Sequence, residues 1–208
     1  MDLIQTKPKG AISTLILAHG AGAPKNSSWM GEVTSYFFNH QVKVIRFNFP
    51  YMDRRELEGR KFPPDRLPKL QEHFLKVIDQ AHKKKLIKGK LYIGGKSMGA
   101  RVSTTIEHEL IHGAICFGFP FYAPGKPGLE RTNKLKECSF PVLILQGERD
   151  PFGGKEWISQ ARLTKNIEFK ILPDGNHDLK PRVKSGFTQK ENLETAVVEA
   201  SRFIKKLN

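Results

Sequence analysis

The chain has 208 residues, a length that a single domain fills while burying about 70% of its unfolded surface in one core. Its 35 Lys and Arg against 21 Asp and Glu leave a net charge of +14, and its two cysteines are too few for a secreted disulfide framework. MDLIQTKPKG carries no signal-like apolar stretch and no later window approaches the roughly 18 apolar residues that span a bilayer, so the expectation is one soluble cytoplasmic domain over residues 1–208.

Short apolar, β-branched runs alternate with segments of helical period, the pattern of a mostly parallel sheet with helices on both faces. The first strand is expected over Thr14–Ala18 and runs into His19-Gly20-Ala21-Gly22. The second, Val42–Phe47, leads to Pro50-Tyr51 and a basic stretch, 54–69, which reads as a loop and includes the Pro-rich KFPPDRLP. Leu70, Phe74, Val77, Ile78 and Ala81 then form one helical stripe. A third strand, Lys90–Ile93, is followed by Gly95-Lys96-Ser97 and a helix with the stripe Val102, Ile106 and Leu110. Ala114–Phe117 precedes Pro120-Phe121-Tyr122 in a second Pro-rich loop, FPFYAPGKPG (119–128). Val142–Leu145 precedes Gly147-Glu148-Arg149-Asp150 and a helix over 154–163. The last strand, Ile167–Ile171, precedes Gly175-Asn176-His177, and Leu193, Val197, Ala200 and Ile204 mark a closing helix. No repeat, low-complexity tract or linker divides these elements.

Open parallel sheets bind ligands beyond the carboxyl ends of their strands, so the polar punctuation after each strand is where chemistry is expected. Two readings compete for LYIGGKSMGA. A phosphate-cradling loop needs Gly, four residues, then Gly-Lys-Ser, but the first of those positions is Lys90 and the intervening residues are mostly strand formers. The alternative is Gly95-Lys96-Ser97-Met98-Gly99, a G-x-S-x-G between strand and helix, where flanking glycines permit the sharp turn that exposes a nucleophilic serine.

Chain order supports the second reading, because hydrolases that use such a turn place an acid and then a histidine after the serine. Of His19, His40, His73, His82, His108, His112 and His177, only His177 follows Asp150. Asp150 is the expected acid at a later strand end, with Glu148 on the same turn as its main rival and Asp174 close in sequence to the histidine. An oxyanion would need two preset N–H donors: the backbone of Met98, and one from the HGAGA loop, with Ala21 the first choice and Gly22 the second.

LILAHGAGAP, YIGGKSMGARV, LQGERDPFG and DGNHDLKPRVKSG together resemble the small α/β-hydrolase-like proteins grouped with the dienelactone hydrolases, whose relatives include a testis-expressed protein and a regulatory subunit of a chromatin acetyltransferase complex. The resemblance runs from about Thr14 to the end of the chain. It implies an α/β-hydrolase fold and a Ser97, Asp150, His177 triad, and it supplies no substrate. Only a short loop lies over 121–137, so a minimal form without a large cap, and an open site, are expected.

An open serine site suits a small carboxylester or thioester cleaved through an acyl-enzyme, with no cofactor; the scattered histidines and lone cysteines offer no metal spacing. Trp29, Tyr51, Phe121, Tyr122 and Phe152 follow the right strands to line a pocket. Arg54, Arg55, Arg60 and Arg66, with Lys180, Arg182 and Lys184, would select an anionic substrate if they converge there, and are otherwise surface charge, the reading that their dispersal favours. Lys96 is expected at the mouth of the site. The opposing class is a non-catalytic module of the same fold that docks an acidic partner or nucleic acid through basic runs such as KKKLIKGK (83–90).

Overall fold

All six apolar runs become strands of one sheet. The computed structural model describes residues 2–123 and 128–208. The elements, in order, are β1 (Ile4–Gln5), β2 (Ser13–Ala18), α1 (Ser28–Asn39), β3 (Val42–Phe47), α2 (Pro50–Glu58), α3 (Leu67–Lys83), β4 (Lys90–Lys96), α4 (Met98–Ser103), β5 (Ile111–Phe117), α5 (Glu130–Lys136), β6 (Val142–Gly147), α6 (Lys155–Gln160), β7 (Ile167–Leu172) and α7 (Gln189–Leu207), with a 3-10 turn at Val183–Ser185. The sheet order is β1-β3-β2-β4-β5-β6-β7, parallel throughout except for β1, which pairs antiparallel with β3.

Strand periodicity divides the core into two layers. Ile16 and Ala18 of β2, Leu91 and Ile93 of β4, and Val142 and Ile144 of β6 face the layer that holds α2 to α6. Leu15 and Leu17, Tyr92, and Leu143 and Leu145 face α1 and α7 on the other side. Both sides of the central strands are therefore dry, which explains why these runs are continuously apolar rather than alternating. The α3 and α7 stripes lie where expected, and α7 opens with a reciprocal capping box between Thr188 and Glu191. No helix among the described residues is long and apolar enough to cross a membrane.

Several expectations give way to the structure. The helix after Ser97 stops at Ser103 instead of running to Leu110. The hydroxyls of Ser103, Thr104 and Thr105 donate back to the carbonyls of Ala100, Arg101 and Val102, a local alternative to continuing the ladder. Ile106 still reaches the core, but from a non-helical segment. The basic stretch 54–69 is not one loop. Pro50 opens α2, which closes on Gly59 in the left-handed conformation (φ +66°), and α3 begins at Leu67. The connection between β5 and β6 contains α5, and 124–127 of the Pro-rich 119–128 stretch lie outside the described residues.

Candidate active site

The carboxyl end of β4 turns into α4 at Ser97. A Cβ on Gly95 would lie 2.6 Å from the carbonyl carbon of Gly99, and one on Gly99 would lie 2.6 Å from the Ala18 oxygen, so only glycines let this turn press against the end of β2. Ser97 itself sits at φ +53°, ψ −110°, a strained conformation for a residue with a side chain, and its N–H is anchored on the Phe117 carbonyl at 2.9 Å. Strain of this kind costs about 1–3 kcal/mol and persists where surrounding contacts over-determine it.

His177 reaches this turn from the loop after β7. The Ser97 hydroxyl lies 2.8 Å from His177 Nε2, and His177 Nδ1 lies 2.8 Å from Asp150 Oδ2. A carboxylate only accepts, so this contact puts the imidazole proton on Nδ1 and leaves Nε2 free to accept from Ser97. Asp150 is 4% exposed. Its Oδ1 accepts from the Phe152 N–H and its Oδ2 also accepts from Gln146 Nε2 at 2.9 Å. Gln146 sits at the otherwise apolar end of β6; its two amide N–H groups are shared among Asp150 and the carbonyls of Phe119 and Gly153, and its amide oxygen accepts from the Phe119 N–H. Gly118 (φ +60°) closes the other side, where a Cβ would meet the His177 carbonyl oxygen at 2.8 Å.

The two rival acids have a different task. Glu148 accepts from the Asp174 N–H, and Asp174 is gripped by Arg149 and by the backbone and guanidinium of Arg182. The Arg182 hydrogen bonds hold the Asp174 carboxyl down at about 2. This cluster ties the loop that carries Asp150 to the loop that carries His177. A second tie spans the site: Lys96 pairs with Asp178, so the neighbour of Ser97 is joined to the neighbour of His177. Lys96 is thus mostly covered, at 17% exposure, with its ammonium 5.5 Å from the centre of the Trp29 ring, rather than free at the mouth.

The HGAGA loop is fixed one peptide at a time. His19 Nδ1 donates to the Gly20 carbonyl at 2.6 Å, while its Nε2 accepts from the Phe49 N–H at 3.0 Å. Tyr51 Oη and Arg55 Nη1 donate to the Ala21 carbonyl at 3.2 and 3.0 Å. Since each trans peptide points its N–H away from its carbonyl, the Ala21 N–H faces away from His19 and the Gly22 N–H faces away from Tyr51 and Arg55. Met98, as the first residue of α4, has no intrahelical acceptor for its N–H. Burial holds the His19 imidazole neutral, its pKa lowered to about 4.

Residues 11–205 match the model of the alpha/beta hydrolase domain family. The chain belongs to this family. An α/β serine hydrolase homologue from Coxiella burnetii shares 18% identity at a TM-score of 0.69, covering 99% of this chain and 91% of that one. A dienelactone hydrolase from Anabaena variabilis shares 16% at a TM-score of 0.73, over 99% and 91%. A Xanthomonas campestris α/β serine hydrolase described as lacking a lid shares 16% at a TM-score of 0.69, over 97% and 88%. At such identities the likeness is one of fold. No protein of curated function matches the chain by sequence.

In this α/β-hydrolase the serine and histidine open onto a cleft of about 670 Å³ whose walls include Ala21, Gly22, Trp29, Lys96, Phe152 and Lys180. Trp29 and Phe152 were expected there, and the Phe152 ring also packs edge-on against His177 with centroids 4.7 Å apart. Tyr51, Phe121 and Tyr122 are not among the described residues lining it. Tyr51 and Phe121 are core side chains, 1% and 0% exposed, and Tyr122 packs towards Trp157. Nor do the arginines converge. Arg54 and Arg60 stack on Phe62 beside Glu58, Arg55 is spent on the Ala21 and Phe62 carbonyls, and Arg182 is held by Asp174. Among the described residues no group of three or more His, Cys, Asp or Glu could hold a metal ion.

Proposed function

We propose that this hydrolase is a serine esterase or thioesterase that works through an acyl-enzyme on Ser97, in a single domain without a large cap. The observation that carries the reading is the pair of 2.8 Å contacts joining Ser97 to His177 and His177 to Asp150. Ser97 Oγ attacks the acyl carbon as His177 Nε2 takes its proton, and the buried Asp150 carboxylate stabilises the imidazolium that results. The oxyanion is met by the Met98 N–H and by the Ala21 N–H, with Gly22 the alternative donor in the same loop. His177 then returns the proton to the departing alkoxide or thiolate. Water, activated by the same nitrogen, attacks the acyl-enzyme and frees Ser97.

The cleft suits a short acyl group. Trp29 and Phe152 offer apolar walls, while Lys180 is the lining cation outside any ion pair among the described residues and so the one placed to meet an anionic group, Lys96 being held by Asp178. Within the family, the four sequence motifs support a place near the dienelactone hydrolases, in the branch with the testis-expressed protein and the acetyltransferase-complex subunit, and a cytoplasmic setting suits the two buried free thiols, Cys116 and Cys138. A fluorophosphonate probe tests the chemistry: wild type labels, Ser97→Ala does not, and His177→Ala lowers ester turnover by about 10⁴-fold. Labelling that persists in folded Ser97→Ala would reject the nucleophile. A folded wild type that never labels would favour the non-catalytic docking module instead.

A further inference from the structure

At the opposite end of the sheet from Ser97, the segment after β1, the start of β3 and the loop before β4 enclose a cavity of about 400 Å³. Its walls include Lys7, Pro8, Ala11, Lys43, Leu86 and Lys88. Lys43 is the anomaly. It lies on β3 between Val42 and Val44, is only 7% exposed, and among the described residues its ammonium reaches one acceptor, the Leu86 carbonyl at 2.6 Å. An ammonium carries three donors, so two are left over. Among the described residues none of Lys7, Lys43 and Lys88 belongs to an ion pair.

Burying a charge without a counter-charge is costly, and two further cations on the same cavity raise that cost. Burial first, and then Lys88 and Lys7, lower the Lys43 pKa, so the site is electrostatically short of an anion. An apolar residue at 43 would satisfy the fold, as its neighbours on β3 do. The remaining walls are apolar: Pro8, Ala11, Leu86 and the lysine stems, with the Gln5 amide at the edge.

We propose that this cavity binds a small carboxylate with an apolar body, the carboxylate meeting Lys43, Lys7 and Lys88 and the body resting on Pro8, Ala11 and Leu86. A volume of this size is in the range of small-molecule sites. Nucleic-acid phosphates would engage the exposed Lys7 and Lys88 but would leave the largely covered Lys43 and the apolar wall unused. The proposal is independent of the catalytic reading, because six-residue strands put the cavity roughly 20 Å from Ser97.

Octanoate is a suitable probe, titrated into the full chain and followed by amide NMR shifts, with inorganic phosphate (charge without body) and octyl glucoside (body without charge) as separate arms. Saturable octanoate shifts are expected around Lys7–Ala11, Lys43 and Leu86–Lys88, with little response to the other two. Lys43→Met should weaken octanoate by about tenfold or more, and the exposed Lys88→Gln, which cannot disturb the core, should weaken it by a smaller factor. Octanoate shifts confined to Gly20–Gly22, Ser97 and His177, a phosphate response equal to that of octanoate, or unchanged affinity in both variants would each overturn the proposal.

Discussion

The two ends of the parallel sheet treat charge in opposite ways. At the carboxyl end every acid near Ser97 is engaged: Glu148 by the Asp174 N–H and Lys155, Asp150 by His177 and Gln146, Asp174 by Arg149 and Arg182, and Asp178 by Lys96. At the amino end three lysines share a cavity without an acid among its described lining residues. Polar groups at the first end fix one another's positions, so removing the partners of the buried Asp150 or Asp174 strands a carboxylate. At the second end the cation itself is the stranded partner, and removing it relieves the fold.

Gln146→Leu should break this contrast most severely. It strands the Phe119 N–H and the Phe119 and Gly153 carbonyls in the core and removes a donor from Asp150. At about 1–3 kcal/mol for each buried unsatisfied group, a loss of roughly 4 kcal/mol is expected in urea unfolding, with a drop in kcat. A loss below 1 kcal/mol would mean the amide network carries little.

His19 gives the next largest effect, and its sign follows from a lowered histidine pKa. The unfolded chain binds a proton near pH 6.5 that the native chain refuses until about pH 4. Its contribution is therefore intact above 6.5 and drains away as pH falls towards 4, by about 3 kcal/mol. Urea midpoints at pH 7 and pH 4 should fall further for wild type than for His19→Gln; equal falls would show that this imidazole is not what resists acid.

The smallest effect is expected at the other end, where Lys43→Met should be neutral or stabilise by about 1 kcal/mol, because a desolvated charge is exchanged for a side chain of similar length. A loss of 2 kcal/mol would erase the distinction between the two ends.

How much of this was legible in the sequence follows the same divide between backbone pattern and side-chain partnership. Strands such as β2 and β6 were readable because burial on both faces leaves nearly unbroken apolar runs, and β3 and β7 by their apolar, β-branched residues despite Lys43, Arg46, Glu168 and Lys170, whereas β1 has two residues and offers no period to detect. The spacing of Met30, Val33, Thr34 and Phe37 carries the signal of α1, which strand-centred reading passed over, while α2 buries only Tyr51 and Met52 and leaves little trace. Ser97, His177 and Asp150 were picked out by chain order. Their supports were not, since the partners of Gln146, Glu148 and Asp174 are set by how loops cross, although a glutamine ending the run VLILQ was a visible oddity. The aromatic residues misled for a related reason: position after a strand locates Tyr51 and Phe121 near the right edge, but the direction of the side chain puts both in the core.

The hydrogen bond between His177 and Ser97 joins residues 80 positions apart, and that between His177 and Asp150 spans 27. The chain must therefore set β4 to β7 in register before these three groups meet, closing long loops whose entropy is lost before any contact repays it. A chain that ends before β7 contains Ser97 and Asp150 but not yet His177, so the serine turn is synthesised well before the group that meets it.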